Sequence, residues 1–404
     1  MARSPAPTRM VERYVAVVVA AAFASSACSR ESGNLTAPAN AARLSGQQLA
    51  ATAASTIITF DAPGAGMGPG QGTMPVGIVQ GEWVMGNYID ANGVYHGFLR
   101  APDGRFTEFD VPGAGKGAGQ GAVEVHGMNP AREIVGTILD ANNVYHGFLR
   151  TPDGKFTTFD CPGAGKGMYH GTASHSVNPA GLILAEYLDA NNVWHGCLRA
   201  RDGTFTTFDP PDIGTGYYQG TFPAIFAGIN PEGASVGEYA DANNVFHAYL
   251  RAPDGTITEF SDPNAGGGYT GSIGINPAGE IWGVYFDANS VFHGFLRSPN
   301  GHLTEVDVPG AGTGTCQGTN AACVLASFGA ITPAGTVTGV YADGSNVYHG
   351  FLRTPHGEFV TFSAPGAGRG DWQGTEATAI NPEGATTGWY IDANNVYHGF
   401  LRMP

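Results

Sequence analysis

One heptapeptide recurs seven times along the chain, and this repetition constrains the fold more than any other feature. Its first copy reads Val94-Tyr95-His96-Gly97-Phe98-Leu99-Arg100. The histidine returns after 50, 49, 52, 46, 56 and 49 residues, at His146, His195, His247, His293, His349 and His398. Such a period indicates a repeat protein, in which each supersecondary unit buries its apolar surface against its neighbours.

Turn signals divide each repeat into four short strands. Asn381-Pro382-Glu383-Gly384 has the residue order of a type I turn, Asp392-Ala393-Asn394-Asn395 suits an Asp-capped turn, and Pro152-Asp153-Gly154 suits a hairpin loop. The strands carry apolar residues on both faces, so each sheet must lie between similar sheets. The repeat therefore predicts an all-β fold, a seven-bladed β-propeller with four antiparallel strands per blade.

The two ends of the repeat region complement each other. The last repeat reaches Pro404 after its third strand, whereas residues 56–66 read as a fourth strand and a linker with no unit before them. We therefore expect the segment 57–61 to pair with the strand at 396–402. This pairing would complete the last blade and close the ring without a free edge.

Composition agrees with a turn-rich globular protein. The chain contains 62 Gly and 26 Pro among 404 residues, yet 42% of its residues are hydrophobic and 11% are aromatic, which argues against disorder. The formal net charge is −15. Because an acidic surface repels phosphate backbones, nucleic acid is not an expected partner.

The N-terminal segment predicts export. Residues 1–27 combine three arginines with an apolar run that is too short to span a bilayer, which is typical of a signal peptide. Small residues precede Cys28, as in a bacterial lipoprotein box, although Ser25 stands where Leu is usual; simple secretion after cleavage at the same bond is the alternative. Residues 28–54 are expected to be a flexible tether, and residues 55–404 the propeller.

This export signal predicts a bacterial protein that is anchored in the outer membrane, displayed at the cell surface or secreted. A lipid on Cys28 would be its only membrane contact. Cys316 and Cys323 lie within the longest repeat, and an oxidising compartment favours a disulfide between them. Cys161 and Cys197 replace apolar residues of the repeat, so the sequence leaves them as buried thiols or as a bridge.

The repeat resembles the HAF repeats of bacterial extracellular proteins. The resemblance rests on Ile229-Asn230-Pro231-Glu232-Gly233 followed by His247-Ala248-Tyr249-Leu250, and it covers residues 55–404. In six of the seven units, Gly takes the place of the Ala in the family's motif. The resemblance implies a secreted repeat protein and supplies no catalytic residues.

The recurring histidines and aspartates are expected to be structural. Seven histidines spread around a ring cannot converge on one ion, so no metal site is predicted, and no metalloenzyme motif occurs. Each Asp-Ala-Asn-Asn turn offers few carboxylates and lacks the residue order of a calcium loop, so turn formation is the prediction and calcium the alternative.

The linkers between repeats supply the candidate binding residues. They share a face with the Asp-Ala-Asn-Asn turns, because consecutive turns of a meander alternate between faces. Several linkers place aromatic, amide or basic side chains where the others have Gly or a small residue. The predicted ligand-binding residues are Tyr169, Tyr218, Gln219, Tyr269, Trp372, Gln373, Lys116, Lys166 and Arg369. The alternative is that the glutamines hold their own linkers and the rings pack on neighbouring blades.

These observations predict a monomeric, non-enzymatic binding or scaffold propeller without a cofactor. Its expected partner is a polysaccharide or another extracytoplasmic protein. Residues 253–260 also resemble the streptogramin lyase propellers, but the Trp-Phe-Thr-Glu signature of that family is missing. A related lyase and a purely structural interaction protein therefore remain as alternatives. Sequence order does not exclude Ser-His-Asp catalysis, although no Gly-x-Ser-x-Gly elbow occurs.

Overall fold

The computed structural model describes residues 55–225, 227–266, 268–320 and 329–404. These ranges contain strands and turns, and no helix among them is long and apolar enough to cross a membrane. The predicted signal peptide, the tether and Cys28 lie outside the described residues. The predicted all-β fold is confirmed for the described part of the chain.

The strands form seven consecutive groups, here called units 1 to 7. They follow one initial strand, β1 (Ile57–Phe60). Unit 1 comprises β2 (Gly72–Val79), β3 (Trp83–Ile89), β4 (Tyr95–Arg100) and β5 (Phe106–Phe109). Unit 2 comprises β6 (Gly121–Met128), β7 (Ile134–Leu139), β8 (Tyr145–Arg150) and β9 (Phe156–Phe159). Unit 3 comprises β10 (Gly171–Val177), β11 (Ile183–Leu188), β12 (Trp194–Arg199) and β13 (Phe205–Phe208). Unit 4 comprises β14 (Gly220–Pro223), β15 (Ser235–Ala240), β16 (Phe246–Arg251) and β17 (Ile257–Phe260). Unit 5 comprises β18 (Thr270–Ile275), β19 (Ile281–Phe286), β20 (Phe292–Arg297) and β21 (Leu303–Val306). Unit 6 comprises β22 (Gly318–Thr319), β23 (Gly329–Ile331), β24 (Val337–Ala342), β25 (Tyr348–Arg353) and β26 (Phe359–Phe362). Unit 7 comprises β27 (Gly374–Ile380), β28 (Thr386–Ile391) and β29 (Tyr397–Arg402).

Consecutive strands within a unit pair antiparallel, except that in unit 6 β22 and β23 both pair with β24. The first strands of units 1, 2, 3, 5 and 7 contain irregularities of register, such as the one between Ser174 and Ser176 in β10. The initial strand β1 pairs with β29, with Ile57 opposite Arg402 and Phe60 opposite Gly399. The expected pairing of segment 57–61 with the strand at 396–402 is therefore present.

A parallel bridge joins the third strand of each unit to the start of the next unit. Tyr95 lies opposite Gly121 between units 1 and 2, and Tyr397 lies opposite Gly72 between units 7 and 1. Gly72 has a φ of 123°, and a Cβ there would collide with the carbonyl oxygen of Tyr397. A glycine is thus required at position 72, because two backbones cross closely at this point.

In six of the seven units, the arginine that ends the heptapeptide joins neighbouring units through an aromatic ring. The guanidinium of Arg150 lies 5.0 Å from the ring centroid of Phe109, which belongs to the fourth strand of the preceding unit. Arg100 lies 4.8 Å from the ring centroid of Phe60 in β1, so the same contact joins unit 1 to the strand that pairs with unit 7. Such cation–π contacts are stronger where the cation is removed from water, and both guanidinium groups are buried.

The turns after the first strands also connect neighbouring units. Each asparagine donates from Nδ2 to a backbone carbonyl in the equivalent turn of the next unit, at 3.1–3.4 Å, in the series Asn129, Asn178, Asn230 and Asn276. A bidentate ion pair between Arg201 and Glu133 adds to the contact between units 3 and 2, with N–O distances of 2.7 and 2.8 Å.

The structure settles the state of two cysteines. Cys161, in the linker after β9, forms a disulfide with Cys197 in β12, and their Cα atoms lie 6.4 Å apart. Cys316 is also disulfide-bonded. Cys323 lies outside the described residues, so the pairing of Cys316 with Cys323 stays a prediction.

Candidate functional site on the linker face

The linkers and the Asp-containing turns meet on one side of the molecule, here called the linker face. Its linkers occupy residues 62–71, 111–120, 161–170, 210–219, 262–268, 308–317 and 364–373, and its turns begin at Asp90, Asp140, Asp189, Asp241, Asp287, Asp343 and Asp392. Hydrogen bonds join the two sets: Gln120 Nε2 donates to Asn143 Oδ1 at 3.1 Å, and Gln219 Nε2 donates to Asn244 Oδ1 at 2.8 Å. The two sets of segments therefore share a face, as the alternation of turns predicts.

The two glutamines predicted to bind ligand hold their own linkers instead. Gln219 Oε1 accepts the Gly216 N–H at 2.8 Å, and Gln373 Oε1 accepts the Gly370 N–H at 3.0 Å. The Gln373 amide donates to Asn395 Oδ1 at 2.9 Å. Because both ends of each amide are engaged within the protein, the structure favours the alternative reading of these residues over ligand binding.

Three of the predicted aromatic residues lie partly buried on a strained backbone. Tyr169, Tyr218 and Trp372 have φ values of 62°, 60° and 60°, where units 1 and 2 have Gly70 and Gly119. Each ring packs against the first aromatic residue of the preceding unit's third strand, at centroid distances of 6.2, 6.4 and 5.7 Å. A left-handed backbone is unfavourable for bulky residues, and units 1 and 2 form the same turn with glycine.

The prediction for Tyr269 needs a correction of register. The carbonyl that accepts the N–H of the third strand belongs to Gln219 in unit 4 but to Gly268 in unit 5, so the linker to unit 5 is shorter. Tyr269 therefore takes the place of the recurring glycine rather than that of Tyr218. It is buried, its hydroxyl donates to Glu238 Oε1 at 3.2 Å, and it is not a surface ligand-binding ring.

The basic candidates are exposed. Lys116, Lys166 and Arg369 occupy equivalent positions of three linkers, all on the linker face. Among the described residues, the most exposed aromatic ring is one that was not predicted to bind ligand. Tyr217 is 73% exposed and packs edge-on against Tyr218 at a centroid distance of 4.4 Å.

Each recurring histidine belongs to a small polar network beneath the linkers. In five units its Nδ1 lies 2.6–3.0 Å from an aspartate oxygen after the fourth strand, and in units 4 and 6 it lies 2.8 and 2.9 Å from a serine hydroxyl. Its Nε2 lies 3.2–3.9 Å from the aspartate of its own unit's turn. This network gives the histidines a structural role, as predicted. The hydrogen bond to Asp160 raises the pKa of His146, so that imidazole is less readily neutral than expected.

The turn aspartates are engaged in forming their turns. Asp241 Oδ1 accepts the N–H groups of Asn243 and Val245, both at 2.8 Å. Burial alone would raise the pKa of Asp241, but these donors outweigh it and lower that pKa. The other six turns repeat at least the two backbone contacts. This is the predicted turn role.

A groove of about 670 Å³ opens on the linker face at unit 4. Its walls come from the linker at residues 211–213, from the turn at residues 241–243, and from His247, Glu259 and Ser261. Carboxylate, imidazole, hydroxyl and amide groups thus converge beside the apolar carbons of the linker. Converging polar groups in a concave site are the usual setting for a small-molecule ligand.

Two departures from the repeat shape this groove. The linker reads Pro211-Asp212-Ile213, where the corresponding residues of most units are Pro-Gly-Ala, and Ser261 replaces the aspartate found after the fourth strand in most units. The linker also lies further from its glutamate. The Asp212 N–H lies 3.4 Å from Glu259 Oε1, whereas in unit 1 the Gly64 N–H lies 2.8 Å from Glu108 Oε1.

His247, Glu259 and Ser261 were not among the residues that the sequence predicted to bind ligand. The predicted residues were taken from the linkers, whereas these three lie in or directly after strands of unit 4. One signal in the sequence does point to this groove: the linker at residues 211–213 and Ser261, the residue after the fourth strand of unit 4, both depart from the repeat. The predicted residues are instead distributed over several linkers.

Comparisons with known proteins do not assign the chain to a family. No family model matches it, and no curated protein matches it. Among solved structures, a lectin from Burkholderia pseudomallei aligns with a TM-score of 0.49 and 10% identity, covering 80% of this chain and 93% of the lectin. An Aleuria aurantia lectin, described as having a six-bladed β-propeller fold, aligns with a TM-score of 0.38 and 10% identity, covering 77% and 96%.

A puromycin hydrolase also aligns, with a TM-score of 0.47 and 13% identity, over 79% of this chain. The chain spans 52%, about half, of that hydrolase. At these levels of similarity, neither sugar binding nor hydrolysis transfers to this chain.

Proposed function

We propose that the seven units are the blades of a closed seven-bladed β-propeller, four strands to a blade, with β1 as the outer strand of the last blade. The proposal is supported by the cyclic order of the contacts. Each unit packs on the next one along the chain, and β2 of unit 1 packs on β27 and β28 of unit 7. The Thr378 hydroxyl also donates to the carbonyl of Pro75 at 3.1 Å, across these two units.

The function that the geometry supports best is non-enzymatic binding of a neutral, polyhydroxylated ligand, such as a glycan, in the groove of unit 4. The groove itself carries this proposal, because Asp241 and Glu259 present carboxylate oxygens that accept hydrogen bonds from hydroxyl groups. The net charge of −15 disfavours polyanions. Tyr217, exposed on the linker of the same unit, offers a flat apolar face for the C–H side of a sugar ring.

A glycan array screened with the full chain tests this proposal, followed by calorimetry on the best glycan. Glu259→Gln is expected to weaken binding by roughly tenfold, about 1.4 kcal/mol, because a hydrogen bond to a charged group is lost. Tyr217→Ala is expected to weaken binding by a similar factor, because it removes the apolar face that contacts the sugar ring. Glu108→Gln is the matched control, because it makes the same change at the equivalent position of unit 1. Equal losses in Glu259→Gln and Glu108→Gln would place binding outside the groove. If no glycan is retained, the sugar proposal fails and a protein ligand replaces it.

We further propose that the protein is exported and held at the cell surface through Cys28, as a member of the HAF-repeat class. The support is the sequence of residues 1–28 and the recurring motif. Mass spectrometry of the mature N-terminus distinguishes a diacylated Cys28 from a free one, and an intact N-terminal segment would contradict export.

A second candidate function is acyl hydrolysis at the same groove. His247 Nδ1 lies 2.8 Å from Ser261 Oγ, and His247 Nε2 lies 3.7 Å from Asp241 Oδ2. In such an arrangement the serine attacks an acyl carbon, the imidazole takes its proton and passes it to the leaving group, and water then releases the acyl group.

A fluorophosphonate probe separates the two functions. Unit 6 repeats this arrangement, with His349 Nδ1 2.9 Å from Ser363 Oγ and His349 Nε2 3.2 Å from Asp343 Oδ2, so Ser363 is the matched serine outside the groove. Hydrolysis in the groove predicts an adduct on Ser261 that is lost in Ser261→Ala and retained in Ser363→Ala. A chain that remains unlabelled contradicts the hydrolase and leaves the binding proposal standing.

A further inference from the structure

A cluster of buried metal-ligating side chains lies between units 2 and 3, away from the groove. Glu124 and His126 project from β6, the first strand of unit 2, and His175 projects from β10, the first strand of unit 3. One ligand atom from each of the three residues lies within 4.8 Å of the other two. Their side chains are 9%, 10% and 2% exposed.

The spacing of these atoms is close to that of a metal site. His126 Nδ1 lies 3.8 Å from Glu124 Oε2. Two ligands at about 2.0–2.1 Å from a tetrahedral zinc ion are about 3.3 Å apart. All three ligand atoms lie within 4.8 Å of one another, so they must move closer together to bind one ion.

Within the described residues, the cluster leaves buried polar atoms unsatisfied. Glu124 Oε2 and His175 Nδ1 are buried without a hydrogen-bond partner in that part of the chain. A buried polar atom without a partner costs about 1–3 kcal/mol, and more when it is charged. The arrangement is thus unfavourable unless something occupies the space between these atoms.

The chemistry of the three groups suits a divalent cation. A carboxylate and two neutral imidazoles are the forms in which these groups bind metal, and metal binding releases any protons that they hold. Glu186 Oε1 lies 3.4 Å from His175 Nε2, where a carboxylate can orient a metal-ligating imidazole.

We propose that Glu124, His126 and His175 bind a zinc-like divalent transition-metal ion that joins unit 2 to unit 3. Two imidazoles and one carboxylate are a ligand set that zinc uses in proteins. Because the ligands come from two units, the ion would stabilise their interface. The site is distinct from the glycan groove of unit 4.

A second group of possible ligands, His293, Glu305 and Asp307 in unit 5, provides the control. This group is more exposed, and its members already have partners. Glu305 accepts the Tyr285 hydroxyl at 2.8 Å, and Asp307 lies 2.9 Å from His293. We expect this group to bind zinc more weakly than the buried cluster.

Zinc chloride added to the metal-free full chain in a non-chelating buffer tests the proposal. Calorimetry should show one tight site per chain, and the melting temperature should rise with zinc concentration because the ion binds the folded state. His175→Asn and Glu124→Gln should each weaken that site at least tenfold, whereas His293→Asn should leave it unchanged.

Cobalt(II) gives a second readout that does not depend on the variants folding well. In the wild-type chain it should produce the visible absorption of a four-coordinate ion with nitrogen and oxygen ligands, and zinc should abolish that absorption. The proposal is overturned if the wild-type chain has no tight zinc site. It is also overturned if that site survives His175→Asn, or if it disappears in His293→Asn.

Discussion

Among single residues, the position two before the recurring glycine has a left-handed backbone conformation, and it holds glycine in some units and an aromatic residue in others. Gly70 and Gly119 adopt the left-handed region there at low cost, whereas Tyr169, Tyr218 and Trp372 adopt it against their steric preference. Their rings lie partly buried at the edge of a large core cluster, so packing offsets part of this strain. Their contribution to stability should therefore be small.

Replacing Trp372 with glycine tests this balance. The variant loses an aromatic contact worth about 0.5–1.5 kcal/mol and relieves about 1–2 kcal/mol of left-handed strain. We expect the free energy of unfolding, measured with urea, to change by less than about 1 kcal/mol. Trp282→Ala, at a fully buried ring, should lose about 3–5 kcal/mol. A similar loss in both variants would make Trp372 an essential packing residue.

The histidine network makes a second residue-level prediction. The hydrogen bond that His195 donates to Asp209 raises the pKa of His195, so the folded state holds this proton more tightly than the unfolded state. The stabilisation is complete below about pH 6.5 and is lost as pH rises through the folded pKa. His195→Asn should therefore cost more unfolding free energy at pH 5.5 than at pH 9. His302→Asn, at an exposed loop position, should show no such difference.

Among the strands, β1 differs from the others because it pairs with β29, which lies at the opposite end of the chain. Its pairing partner β29 would otherwise expose an edge. Phe60 lies beneath the Arg100 guanidinium, and the N–H of Ala62 donates to Thr73 Oγ1 at 2.9 Å, so the segment is anchored to unit 1 as well. The loss of one strand should therefore weaken two units.

Comparing a chain that starts at residue 55 with one that starts at residue 63 tests this role. The shorter chain should melt about 3 °C lower, because about 2 kcal/mol of strand pairing and aromatic burial is removed. A chain that retains residues 28–54 serves as the control and should melt like the chain that starts at 55. Equal melting temperatures for the 55 and 63 starts would contradict the closure role of β1.

For the whole molecule, buried carboxyl groups set the pH of greatest stability. Burial raises the pKa of Glu238 and of Glu376 to about 8, far above the ordinary value of 4.5. Between about pH 4.5 and pH 8, the folded state thus binds more protons than the unfolded state. The free energy of unfolding therefore falls as the pH rises through this range. The turn aspartates, such as Asp241 with its lowered pKa, contribute stability that is lost only below about pH 4.

The melting temperature of the metal-free chain should therefore be highest near pH 5 and should fall towards pH 9. Glu376→Gln should make this fall shallower, since the amide does not titrate. Calorimetric scans at half-unit pH intervals provide the measurement. A melting temperature that rises steadily from pH 5 to pH 8 would contradict this account.

The sequence by itself determined the period, the strand order and the pairing of β1 with β29. Turn residues and apolar alternation are local signals, so the strand predicted at 396–402 appears at Tyr397–Arg402. Only the tertiary structure decided which side chains converge. Tyr269 changed register because its linker is shorter, and Gln219 and Gln373 were engaged by their own loops. The groove of unit 4 and the Glu124–His126–His175 cluster join residues that are distant in sequence. Their proximity depends on how far each unit is displaced and rotated against the next, which a local pattern of residues does not specify.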